Sequence, residues 1–227
     1  MLIFAHRGAS GTEPENTLKA IKSALAMKVD GIEIDVHQVE NKLVVIHDRW
    51  LHRTTTGMGQ LQNYSVSSLK TLDAGDGEQI PELNEVLALI AGKCIINIEL
   101  KAINSRQLLY RYLNNAINKY QFSHSQLLIS SFNHRLLNII HQEQSLFPIG
   151  ALTSSYPVEY AKFAQDLDAS SLHVNIEYIS QAFVDDAHKR GLKVYVYTVD
   201  ESEDMDEMMK LGVDGVFSNF PTKLSII

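Results

Sequence analysis

Nine short runs of aliphatic and β-branched residues recur along the chain, at 2–5, 31–36, 43–46, 94–100, 127–131, 148–152, 170–174, 193–198 and 215–218, and segments of helical periodicity separate most of them. Alternation of this kind implies a largely parallel sheet, because parallel strands need a crossover and a helix is the usual one. The join between 31–36 and 43–46 is too short for a crossover. The run 43–46 is therefore expected as an extra strand leaving the rim, and the other eight as a (β/α)₈ TIM-type barrel. With 45% hydrophobic residues, a chain of 227 can bury one such core, so residues 1–227 are read as a single domain.

Helices are expected from near Asn16, after Pro81 with Leu83, Val86, Leu87 and Ile90 inward, and over about 105–120. Asn133 and Ser180 read as N-caps of two more, and a stripe of Met205, Met208, Met209 and Leu211 marks a last full helix closed by Gly212. From about 48 to 80 the chain is polar and poor in helical periodicity, which reads as an insertion after the second strand, on the loop face where sites of this architecture lie.

A net charge of −7 without a basic run argues against a nucleic-acid or acidic-membrane binder. Cys94 is the only cysteine, lies in an apolar run, and reads as a small core residue. No apolar run approaches the roughly 20 residues of a membrane span, and the first residues lack the pattern of a signal peptide. The expectation is a soluble cytoplasmic protein.

The unusual strand is Gly31-Ile32-Glu33-Ile34-Asp35-Val36, whose period of two puts Glu33 and Asp35 on one face. For an isolated E-x-D the ordinary reading is a solvated edge strand. Here the other strand ends decide against it. The first run ends in His6-Arg7-Gly8, the extra strand in His47-Asp48, and the run at 94–100 in Glu99-Leu100-Lys101. A barrel brings all of these to one mouth. Glu33, Asp35 and Glu99 offer only carboxylate oxygen, which suits a hard divalent cation, Mg²⁺ or Ca²⁺, better than zinc. Arg7 and Lys101 beside such a metal match a phosphate group, and Gly8 lets the backbone approach it. His6 and His47 remain as an acid and a base for in-line displacement, so the constellation points to phosphodiester hydrolysis. Glu15 and Asn16 read as a helix start that also orders the mouth, Phe132 and Tyr197 as strand-end residues that line the pocket or fill the barrel, and Asn219 as a candidate substrate contact. The other histidines, at 37, 52, 124, 134, 141, 173 and 188, are read as structural.

Over nearly its whole length the chain resembles the glycerophosphodiester phosphodiesterase family. The stretches that carry the resemblance are His6-Arg7-Gly8-Ala9, Pro14-Glu15-Asn16-Thr17, Glu33-Ile34-Asp35-Val36, Val44-Val45-Ile46-His47-Asp48, Arg53-Thr54-Thr55-Thr56-Gly57, Glu99-Leu100-Lys101, Ser130-Ser131-Phe132 and Gly212-Val213-Asp214-Gly215. The resemblance implies a TIM-type barrel with a small insertion, a divalent metal on Glu33, Asp35 and Glu99, and His6 and His47 as the acid/base pair. It also implies the reaction, in which a small glycerophosphodiester and water give sn-glycerol 3-phosphate and the free alcohol. Tyr197 stands where the family often has Trp, and Asn219 where it often has Asp; both departures bear on substrate preference. Two other readings stay open. One is a lysophospholipase D-type phosphodiesterase at a membrane surface, which needs an exposed apolar rim, and Trp50, Leu51, Met58 and Leu61 of the insertion offer only a weak one. The other is a catalytically silent barrel used as a binding module. Direct attack by water and attack by the glycerol 2-hydroxyl through a cyclic phosphate both fit the residues.

Overall fold

The structure, a computed structural model, describes residues 1–224. One sheet contains β1 (Leu2–Ala5), β2 (Gly31–Val39), β3 (Lys42–Val45), β4 (Ile95–Ala102), β5 (Leu127–Ser131), β6 (Ile149–Thr153), β7 (Ser171–Asn175), β8 (Lys193–Tyr197) and β9 (Gly215–Ser218). All but β3 run parallel to their neighbours, and β1 pairs with both β2 and β9, closing an eight-stranded barrel. β3 lies outside the ring, antiparallel to β2, with Val36 opposite Val45 and Val39 opposite Lys42.

Helices α1 (Leu18–Ala26), α2 (Val66–Leu69), α3 (Leu83–Ile90), α4 (Arg106–Tyr120), α5 (His134–Glu143), α6 (Lys162–Asp166), α7 (Gln181–Lys189), α8 (Ser202–Leu211) and α9 (Pro221–Leu224) accompany the strands. Side chains of Ser105, Asn133 and Ser180 accept hydrogen bonds from the first turns of α4, α5 and α7, satisfying donors that have no partner within the helix. At α1 the cap is Thr17 and not Asn16. Asn16 adopts a left-handed φ of 59° and turns its side chain to Asp35, so the residue expected to start the helix braces the site instead. Met209 also departs from expectation. It is 41% exposed, and only Met205 and Met208 of that stripe are buried, because residues three apart share a helix face and the next position does not.

Helices pack their apolar stripes on the outer face of the barrel, where Ile32, Ile34, Ile96, Ile98, Leu87, Leu109 and Phe183 are buried together. The inner face is different. Phe4, Tyr195, Phe217 and His173 cross the lumen with neighbouring ring centroids 4.9–6.3 Å apart. Glycines make room for them: a Cβ on Gly31 would come within 2.3 Å of the Phe4 ring, and one on Gly150 within 2.4 Å of His173 Nε2. On the C-terminal side, Phe217 and His173 of this aromatic plug form part of the wall of a cavity.

The stretch after β3 has its own small core of Val39, Val44, Ile46, Leu51, Leu61, Val66, Leu69, Ala74 and Ile80. It contains 3₁₀ turns at Leu51–Arg53 and Leu61–Asn63 as well as α2, so it is more structured than its polar composition suggests. Leu51 and Leu61 are fully buried in it, which corrects their assignment to an exposed rim; of the four residues proposed for that rim, only Trp50 and Met58 are exposed.

Candidate active site

Strand register brings the acids together. Asp35 on β2 sits opposite Glu99 on β4, one pleat above Glu33 opposite Asn97. The result is a buried cluster in which Glu33, Asp35 and Glu99 each offer an oxygen, all within 4.8 Å of one another. Burial, followed by repulsion from Asp35 and Glu99, pushes the Glu33 carboxyl well above its usual range, and burial with Asp35 raises Glu99. Burial alone would raise Asp35 too, but Lys101 and Arg7 outweigh it and hold that carboxyl low. Glu33 Oε1 is buried and accepts no hydrogen bond, and Asp35 Oδ1 lies 3.1 Å from Lys101 Nζ without hydrogen-bond alignment. Oxygen donors that repel one another and lack partners fit a hard divalent cation.

Cations flank the cluster. Lys101 Nζ donates to Glu99 Oε1, and Arg7 Nε lies 3.2 Å from Asp35 Oδ2. Arg7 and Gly8 both take positive φ, 57° and 76°, which turns the Arg7 N–H onto Glu33 Oε2 at 2.9 Å. A Cβ on Gly8 would meet Ala20 at 2.7–2.9 Å, so the chain can pass between β1 and α1 only as glycine.

The two histidines are held differently. His47 Nδ1 lies 2.5 Å from Asp48 Oδ1, and Arg53 Nε, reaching in from the insertion, donates to Asp48 Oδ2 at 2.5 Å. Arg53 first, and His47 with it, hold the Asp48 carboxyl far below its usual range. His37, read as structural, braces this unit from behind, with Nε2 3.0 Å from the His47 carbonyl oxygen. His6 Nδ1 instead meets an amide, Asn219 Oδ1 at 2.8 Å, while Nε2 lies 3.9 Å from Glu33 Oε2. Burial, with the Arg7 charge second, pushes the His6 imidazole down to about 4, which keeps it neutral.

His6, Arg7, Glu33, His47, Glu99, Lys101, Phe132 and Tyr197 line one cavity of about 330 Å³. Phe132 and Tyr197 meet edge to face across its wall, 6.3 Å between centroids, and the Tyr197 hydroxyl donates to the Thr153 carbonyl at 2.9 Å. Glu15 and Asn16 do not line it. Asn16 Nδ2 donates to Asp35 Oδ2 at 2.9 Å, and Glu15 accepts from Arg7 at 2.9 Å and from Arg53 at 2.8 Å. They brace the charged side chains of the site, and Glu15 also lines a neighbouring hollow with His6 and Arg7. Sequence reasoning missed Asn97, Ser154, His173, Asn175 and Thr198, which also line the cavity. The inward phase of β4 and β7 was the available signal for Asn97, His173 and Asn175. A larger hollow, about 680 Å³, opens at the opposite end beyond the aromatic plug, with Leu2, Phe4, Leu128 and Tyr195 in its wall. It holds none of the acid, cation and histidine constellation.

The model of the glycerophosphoryl diester phosphodiesterase family matches residues 6–223. The chain is 39% identical to a glycerophosphodiester phosphodiesterase of Caldanaerobacter subterraneus subsp. tengcongensis, over 98% of this chain and 96% of that protein. It is 35% identical to one from Bacillus altitudinis, over 97% and 95% respectively. Among solved structures it is similar to an Oleispira antarctica phosphodiesterase in complex with the product sn-glycerol-3-phosphate. That likeness has a TM-score of 0.88 at 28% identity and covers 99% of this chain and 95% of that one.

Proposed function

The chain belongs to the glycerophosphoryl diester phosphodiesterase family, and from that premise we propose that it hydrolyses small glycerophosphodiesters to sn-glycerol 3-phosphate and a free alcohol. One observation carries the reading: Glu33 and Glu99 of a buried carboxylate triad, two cations and two histidines border a single 330 Å³ cavity, and Asp35, the third acid, offers its oxygen within 4.8 Å of theirs.

Glu33, Asp35 and Glu99 would hold a hard divalent cation, Mg²⁺ or Ca²⁺, which when bound stabilises charge on the non-bridging phosphate oxygens. Arg7 and Lys101 add donors to the same oxygens, and their tethers to Asp35 fix where those donors point. His6 is the base. Its Nδ1 is occupied by an acceptor, so the lone pair sits on Nε2, facing the acids. His47, whose Nδ1 is held by the Asp48 carboxylate, is the acid. As the attacking oxygen bonds to phosphorus its proton passes to His6 Nε2. The bond from phosphorus to the alcohol oxygen breaks, and that oxygen takes a proton from His47.

In this reading residues 1–227, with the insertion at about 48–80, act as one catalytic unit. Selection falls on the glycerol side in the closed lumen, and the loop-like mouth tolerates different alcohols. Glycerophosphocholine tests the assignment. The expected products are sn-glycerol 3-phosphate and choline. Release of phosphocholine and glycerol, or no turnover of choline, ethanolamine and inositol esters with divalent metal supplied, would overturn it. Exposure of only Trp50 and Met58 on the insertion disfavours a lysolipid substrate, and faster choline release from lysophosphatidylcholine would reverse that preference.

A further inference from the structure

Behind His6 stands a carboxylate that the reaction scheme does not use. Asp200 lies in the loop between β8 and α8 and meets Asn219, the residue after β9. Its Oδ1 accepts from the Asn219 N–H at 2.7 Å and from Ser218 Oγ at 3.1 Å, while its Oδ2 accepts from Asn219 Nδ2 at 2.6 Å. A carboxylate only accepts, so the Asn219 amide can stand one way round, with Nδ2 toward Asp200. Oδ1 is then forced toward His6 Nδ1, at 2.8 Å, and toward Ser10 Oγ, also at 2.8 Å. An amide oxygen cannot donate. His6 Nδ1 must therefore carry the ring proton, and Nε2, which faces Glu33, must be the lone-pair nitrogen.

We propose that Asp200 is a positioning residue for catalysis: through the side-chain amide of Asn219 it fixes the Nδ1–H tautomer of His6 and so keeps a proton-accepting nitrogen turned into the site. The inference rests on the reading of His6 as the general base. It assigns the Asp200–Asn219 pair the part that a directly bonded carboxylate plays for His47. The two histidines are thus oriented alike but backed differently, His47 by a charge and His6 by a neutral amide with the charge one group further away.

A swap of the two side chains tests this. In Asp200→Asn an NH₂ group replaces the Oδ2 that faces Asn219. Two donors would then confront each other, so the Asn219 amide turns over and presents its own NH₂ to His6 Nδ1. The imidazole is driven to the Nε2–H tautomer and loses its acceptor toward the substrate. The double variant Asp200→Asn, Asn219→Asp restores an acceptor on His6, because a carboxylate at position 219 accepts from both neighbours.

The readouts are long-range ¹H–¹⁵N NMR of the His6 ring at pH 8 with Mg²⁺ present, and steady-state kinetics on glycerophosphocholine. Expected are Nδ1–H in the parent protein, Nε2–H in Asp200→Asn with kcat lowered about 10²-fold and KM little changed, and recovery of both tautomer and kcat in the double variant. Nε2–H in the parent, an unchanged tautomer in folded Asp200→Asn, or a folded double variant that stays slow would each overturn the proposal. Full turnover by His6→Ala would instead refute His6 as the base, while leaving the tautomer result standing.

Discussion

Replacing Glu33 by Gln should separate metal binding from stability, with effects of opposite sign. In the metal-free protein the triad crowds ionisable oxygens within 4.8 Å, where two full charges repel by about 3–4 kcal/mol at an effective dielectric near 20. Glu33 responds most, its carboxyl pushed well up by burial and by its acidic neighbours. Glutamine keeps an oxygen for the Arg7 N–H and removes the ionisation, so metal-free Glu33→Gln should be at least as stable as the parent. A carboxyl raised in the folded state contributes fully below its unfolded value of 4.5 and loses that contribution as pH rises, so the variant's relative advantage should widen from pH 5 to pH 8. With metal the order reverses. A ligand at 100 times its Kd stabilises by about 2.7 kcal/mol, which for a chain of this size is about 5–11 °C in Tm. The parent should gain a shift of that order on moving from EDTA to excess Mg²⁺ or Ca²⁺, and Glu33→Gln should lose most of it. Thermal unfolding of both proteins under the two conditions is the assay. A variant that keeps the full metal shift, or that unfolds many degrees below the parent in EDTA, would refute the argument.

His6→Ala and His47→Ala should each lower kcat by about 10²-fold or more, measured with saturating substrate and metal; retention of rate in either would break the division into base and acid. Gly150→Ala places a methyl 2.4 Å from His173 Nε2 and should cost about 1–3 kcal/mol in denaturant unfolding, an argument that fails if the variant is as stable as the parent. His173 is fully buried, and burial pulls its imidazole down to about 3 from 6.5. The unfolded chain takes up that proton first, so stability is present above pH 6.5 and is lost as pH falls toward 3. Denaturant unfolding at pH 7 and pH 5 should therefore show a smaller loss in His173→Gln than in the parent, and equal losses would exclude the effect.

Much of the barrel was legible because its strands obey a strict local pattern. Residues 2–5, 127–131 and 215–218 match the observed strands end for end, and the short join before 43–46 exposed β3 as antiparallel. The acids could be read for the same reason: a period of two puts Glu33 and Asp35 on one face whatever surrounds them. What stayed hidden depends on contacts distant in sequence. Nothing local indicates that Arg53 bridges Asp48 and Glu15, or that Asp200 orients an amide 19 positions away against His6. Leu51 and Leu61 misled because a polar stretch with scattered leucines looks like a wet loop, yet those leucines pack under β2 and β3 with Val39 and Val44. Residue type points to Asn16 as a helix start, but two hydrogen bonds with Asp35 draw it away and leave the cap to Thr17.

Release of sn-glycerol 3-phosphate from glycerophosphocholine, followed first in EDTA and then after restoring Mg²⁺ or Ca²⁺, tests the central claim most directly. A triad of mutually repelling, buried carboxylates beside two cations and two histidines predicts no turnover under chelation and recovery on adding the ion. Undiminished release from the fully chelated protein would contradict it.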